Sequence, residues 1–153
     1  MKVFTTDKIR NVVVLGHSGA GKTSLVSAMN GIATASKQRM TEPAATTQML
    51  VQPILWDDHK INILDVPGAF DFVGEIEEAV GVADAAIIVI SGKNGVENGT
   101  RKAWAMCEKY HLPRIVYVSD MDIDDVSFKN TILYRYRTSM FISISVYLGK
   151  YIF

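Results

Sequence analysis

Cysteine is nearly absent: Cys107 is the only one in 153 residues, so no intrachain disulfide can form. A reducing compartment suits such a chain. Charge of either sign is not in surplus, with 16 Lys plus Arg against 16 Asp plus Glu. That balance argues against broad, charge-driven binding to nucleic acid and leaves only local basic patches open. No apolar run approaches the roughly 18 residues of a membrane helix. The first residues lack the apolar core of a signal peptide, since Lys2 is followed closely by Thr5, Thr6, Asp7 and Lys8. The three histidines and the lone cysteine have no zinc-site spacing. Internal repeats and low-complexity tracts are missing too. These exclusions describe a soluble, cytoplasmic chain with no membrane or disulfide partner.

What is present is an alternation of strand-like and helix-like segments, in a length that suits one buried core. Asn11–Leu15 is a β-branched run ending at Gly16, and Lys22 to about Asn30 carries Leu25, Val26 and Met29 at helical spacing. Asn30-Gly31 is a helix-stop signal, and the segment from Ile32 to Gln48 reads as a mobile loop. Met49–Trp56 and Lys60–Leu64 form a hairpin about Asp57-Asp58-His59. Helices are expected over Phe72–Val82 and Gly99–Tyr110, and strands over Ala85–Ile90 and Arg114–Val118. Ala103, Met106 and Cys107 lie on one face of the second of these helices, and Trp104 fits core or interface packing. The order predicts an α/β fold: a mostly parallel sheet with helices on both faces and ligands at the carboxyl ends of the strands.

Three strand ends carry the chemistry. Gly16-His17-Ser18-Gly19-Ala20-Gly21-Lys22-Thr23 fits GxxxxGK[ST] at every fixed position, between a strand and a helix. Backbone amides of such a loop turn inward on phosphate oxygens, and the helix starting near Lys22 directs its positive end at the same charge. Lys22 would reach the β- and γ-phosphates, the Thr23 hydroxyl would bind Mg²⁺, and Ser24 continues the first helical turn beside them. His17 is expected on the solvent side of the loop, without a catalytic role. At the second strand end, Asp65-Val66-Pro67-Gly68 offers an aspartate for the Mg²⁺ shell and a glycine amide for the γ-phosphate. At the third, Ser119-Asp120-Met121-Asp122 stands where GTPases carry NKxD. Asp122 would accept hydrogen bonds from guanine N1–H and the exocyclic amine, with Met121 beside it.

With these sites in order, the chain resembles the G domain of translational GTPases of the elongation factor G type. The likeness is carried by Asp7–Asn11, the phosphate loop, Lys60–Gly68, Asp71–Glu77, Ala83–Ser91 and Gly95-Val96-Glu97. It implies a P-loop GTPase fold, GTP or GDP with Mg²⁺, and a ribosomal partner. By position it implies phosphate and metal roles for Lys22 and Thr23, and a γ-phosphate switch at Asp65 and Gly68. Thr46 becomes the candidate for the switch threonine that closes over Mg²⁺. The expected organisation is a C-terminally truncated G domain over 1–126, then a divergent tail over 127–153 that contains no acidic residue.

Four departures bear on activity. The first switch region, Gly31 to Gln48, is short. Ala69 stands where the family pattern DTPGHVDF has a histidine, and alanine can neither orient nor deprotonate water. SDMD replaces NKMD, so Asp120 puts a carboxylate where a lysine covers the nucleotide. The last nucleotide-contacting motif and its strand are not recognisable after Val126, and a frameshifted gene fragment is one origin for such a tail. No catalytic residue is assigned, and hydrolysis is expected to be slow at best. Two other readings stay open: a non-catalytic remnant acting as an interaction module, and an ATP-binding P-loop protein. A sheet without its last strand also leaves an edge, from which low stability or self-association is expected.

Overall fold

The computed structural model describes residues 3–34, 49–68, 73–123 and 126. After a short 3₁₀ turn at Thr6–Lys8 the elements run β1 (Ile9–Gly16), α1 (Lys22–Thr34), β2 (Leu50–Trp56), β3 (His59–Asp65), α2 (Val73–Val82), β4 (Ala85–Ser91), α3 (Asn98–Lys109) and β5 (Arg114–Ser119). The strands form one sheet in the order β2-β3-β1-β4-β5. β1 runs parallel to β3 and to β4, and β4 parallel to β5. Only β2 is antiparallel, paired to β3 through a turn whose Asp57 (φ 45°) and Asp58 (φ 60°) are both left-handed. A two-residue turn of that kind matches the twist of the strands it joins.

The continuous apolar runs become intelligible from the sheet's two covered faces. Val13, Leu15, Ile88 and Ile90 point to one side, where Ala79 and Val80 of α2 and Ala103, Trp104 and Cys107 of α3 meet them. Val14, Ile87 and Val89 point to the other side, against Val26 of α1. Alternate residues of these runs thus serve different layers, and the runs are apolar on both faces.

Two sequence expectations need correction. α1 does not stop at Asn30-Gly31 but continues to Thr34. Leu25, Met29 and Ala33, one turn apart each, all pack on the second core. That packing outweighs a mid-helix glycine, which costs about 1 kcal/mol. The Thr34 hydroxyl donates to the Asn30 carbonyl at 2.8 Å in the last turn. His59 is the first residue of β3 rather than a turn residue. Residues 35–48, which include Thr46, and 69–72, which include Ala69, lie outside the described residues, as does the tail from 127. Among the described residues no helix is long and apolar enough to cross a membrane.

Candidate nucleotide-binding site

The strand order reverses at β1: β3 and β2 lie on one side of it, β4 and β5 on the other. A crevice opens at the carboxyl ends of strands at such a point, and the three candidate motifs converge there. Gly16 ends β1 at φ +147°, and a Cβ on it would lie 2.4 Å from the Val89 carbonyl oxygen. Only glycine lets the loop leave the sheet so close to β4. Gly19 (φ +78°) and Gly21 (φ +90°) then turn the loop's amides inward before α1 begins at Lys22.

Lys22 is buried at 5 % exposure. Its Nζ donates to the carbonyls of His17 at 2.9 Å and Gly16 at 3.3 Å. Burial pushes its pKa below the ordinary lysine value, and the nearby Asp65 charge opposes that fall. Asp65 is completely buried. Burial raises its pKa, while the Thr23 hydroxyl and the Lys22 ammonium pull it down. Thr23 is near enough to act on the charge, yet neither carboxylate oxygen has a donor in hydrogen-bond geometry. Gly68 brings the Asp65–Gly68 turn onto the loop: a Cβ there would lie 2.2 Å from Lys22 Nζ and 2.9 Å from the Ser18 amide nitrogen. Residues 46 and 50 positions apart are therefore packed too closely for any side chain at Gly68.

The third motif closes the other side. The Ser119 hydroxyl donates to the Ala20 carbonyl at 2.9 Å, which ties the end of β5 to the phosphate loop. Asp120 adopts the left-handed region, at φ 56°. Its carboxylate accepts from the Ser91 hydroxyl at 2.6 Å, so it is turned toward the end of β4. Met121 is half-buried, and Asp122 is exposed. In the sequence Ser119 and Asp120 read only as mismatches to the motif, and Ser91 carries no role of its own within the Ala83–Ser91 string. Their pairing depends on the β4–β5 register, Ser91 opposite Ser119, which no local pattern encodes. His17 is not on the solvent side: its ring is 26 % exposed and its Nε2 lies 3.4 Å from Glu97 Oε1.

The residues present fit a nucleotide and a divalent cation. Left-handed glycines and a helix start suit a polyphosphate. A buried carboxylate whose oxygens lack donors, next to a hydroxyl, suits a hard cation. Among the described residues no group of three His, Cys, Asp or Glu side chains could form a metal cage. One carboxylate and one hydroxyl instead match Mg²⁺, whose remaining ligands are typically water and substrate phosphate.

Known proteins bear the same signature. Residues 7–140 match the family described as the elongation factor Tu GTP binding domain. Elongation factor G of Salinibacter ruber is 33 % identical over 144 residues, which is 84 % of this chain and 20 % of that protein. The mitochondrial ribosome-releasing factor 2 of Drosophila melanogaster is 32 % identical over 142 residues, 83 % of this chain and 19 % of that one. The chain thus spans about a fifth of the length of these curated relatives. A crystal structure of a Thermus thermophilus protein, 37 % identical, superposes with a TM-score of 0.66 over 72 % of this chain and 19 % of the other. The translation elongation factor SelB of Methanococcus maripaludis, in complex with the GTP analogue GPPNHP, shares the fold at 21 % identity and a TM-score of 0.71, over 88 % of this chain and 26 % of that one. Sequence, strand order and the converging strand ends agree, and the chain belongs to the elongation factor Tu GTP-binding-domain family.

Proposed function

We propose that this chain binds GTP and GDP with Mg²⁺, as the G domain of an elongation-factor-G-like translational GTPase, and hydrolyses GTP slowly on its own. The observation that carries the reading is the convergence of the Asp65–Gly68 turn and Ser119 on one phosphate loop. In this reading the amides from Ser18 to Thr23 and the ammonium of Lys22 hold the phosphates. His17 and Ser24 flank the cradle. Thr23 and Asp65 hold Mg²⁺, with Thr46 as a further metal ligand, and the cation neutralises phosphate charge when bound. The Gly68 amide reads the γ-phosphate, while Met121 and Asp122 face the base. Asp122 accepts from guanine donors that adenine lacks. Ala69 offers no group to orient water, which is the reason for slow turnover. The proposed domain covers 1–126, followed by the tail at 127–153. A cytoplasmic setting is part of this reading, and the translation factors among the relatives support a ribosomal partner.

One observation favours a second reading. Asp120 brings a carboxylate beside the base-reading residues, and its negative charge disfavours an anionic ligand. A remnant with an impaired site would then act as an interaction module. Titration of the full chain with fluorescent GDP, GTP and ATP analogues, each with Mg²⁺, separates the readings. Guanine-selective binding that Lys22→Ala reduces at least a hundredfold is the expected result. No binding would favour the remnant, and equal affinity for ATP and GTP would refute guanine reading by Asp122.

A further inference from the structure

Glu97 is the N-cap residue of α3, yet its side chain makes no capping hydrogen bond to that helix. A side-chain oxygen at this position ordinarily turns back onto the free amides of the first turn. Here Oε1 lies 3.4 Å from His17 Nε2, with both side chains about a quarter exposed. The backbone enforces the approach. A Cβ on Gly99, in the first turn of α3, would lie 2.6 Å from His17 Cα and 2.8 Å from its Nδ1. The absence of a side chain at 99 is what lets the start of α3 press on the phosphate loop. On its backbone side, the His17 carbonyl accepts from Lys22 Nζ at 2.9 Å and from the Ala20 amide at 3.2 Å. His17 therefore touches α3 through its ring and the phosphate lysine through its carbonyl.

We propose that Glu97 is a positioning residue for the phosphate loop. Its carboxylate holds the His17 imidazole, which keeps the His17 carbonyl, and with it the Lys22 ammonium, where a phosphate would be met. The inference rests on the nucleotide-binding reading given above. It also opposes a simpler electrostatic expectation. A carboxylate close to a polyphosphate repels it, so charge alone says that removing Glu97 should tighten binding. Positioning says the reverse, and the sign of the change decides between them.

The test measures the affinity of the full chain for a fluorescent GDP analogue with Mg²⁺, in Glu97→Ala, Glu97→Gln, His17→Ala and the Glu97→Ala/His17→Ala double variant. Glu97→Ala should weaken binding about threefold to tenfold, the scale of one charge-assisted contact. Glu97→Gln should recover most of that loss, because an amide of nearly the same size keeps a polar oxygen toward the ring. In the His17→Ala background Glu97→Ala should have no further effect, since its partner is gone. Gly99→Ala, with Glu97 intact, should weaken binding as well by displacing the ring. Unchanged or tighter binding by Glu97→Ala would overturn the inference. So would an equal loss in the His17→Ala background, which would mark Glu97 as a helix-start residue only. If the unsubstituted chain binds and Glu97→Ala does not differ from it, the inference alone falls. If the unsubstituted chain binds no guanine nucleotide, the underlying reading falls with it.

Discussion

Asp65 and Lys22 illustrate how a buried ionisable side chain costs stability. Burial dominates both: it raises the carboxyl pKa and lowers the ammonium pKa, and their mutual attraction only partly offsets this. For Asp65 the folded state holds its proton to higher pH than the unfolded chain. Stability is therefore lost as pH rises from the ordinary carboxylate range through the raised folded value, and the cost stands in full above that value. For Lys22 the folded pKa lies below the unfolded one. Its cost is present in full below the lowered value and is relieved as pH climbs toward the ordinary lysine range. The attraction of Lys22 is already contained in the net upward direction at Asp65, so a neutral group there is favoured. Asp65→Asn should accordingly raise the melting temperature of the nucleotide-free protein by a few degrees, about 1 kcal/mol. The same change should abolish the Mg²⁺-dependent part of GDP affinity. Thermal unfolding with and without GDP and Mg²⁺ measures both, and a lowered melting temperature without nucleotide would contradict the argument.

At the scale of elements, helices α1 and α3 bring different things to the site. α1 starts at Lys22, at the end of the glycine-rich loop, and is fastened along its length by Val26, Leu25, Met29 and Ala33. α3 is joined to β5 by a cluster in which the Trp104 indole donates to Glu108 at 2.9 Å and the Arg114 guanidinium lies 4.0 Å from the Trp104 ring centroid. Cys107 beneath them is fully buried, and that burial holds its thiol pKa up at about 11. It is a packing residue and an inert thiol at neutral pH. α2 is the loosest of the three in composition, with glycines at both ends. A Cβ on Gly81 would meet nothing within 4 Å. Gly81→Ala should stabilise the protein by about 0.5 kcal/mol, because the unfolded chain loses freedom and no contact is strained. Urea unfolding should then give a higher midpoint with an unchanged slope, and a lower midpoint would refute it.

For the molecule as a whole, the sheet edges matter most. β2 exposes Val51, Leu55 and Trp56, and β5 exposes Ile115. Pro53 blunts β2 as a template, since proline has no amide to donate. Among the described residues no strand lies outside β5, and its six residues contain no proline. Zero net charge and a pI near 6.8 provide little repulsion between copies. The chain should self-associate with rising concentration, most strongly near pH 6.8, and Ile115→Lys should reduce this by placing a charge on the edge. Sedimentation velocity across concentration and pH would detect it; a monomer under all conditions would refute it.

The phosphate loop, the element order and the class of fold were legible in the sequence, because each rests on neighbouring residues. Glycine spacing specifies a loop's backbone, and runs of Val and Ile specify buried strands. The Asp65–Gly68 turn was legible as a motif, though not as a wall packed on Lys22. Other features were decided only by the tertiary structure. Helix α1 outran its stop signal because its later turn found a core to bury. Ser119 reached Ala20, Asp120 reached Ser91, and Glu97 reached His17 through contacts that span between 29 and 99 residues of chain. Such contacts come from strand order and register, which follow from how distant segments share two buried faces. The sequence by itself therefore determined the glycine-rich loop between a strand and a helix, and the fold determined which distant residues meet that loop.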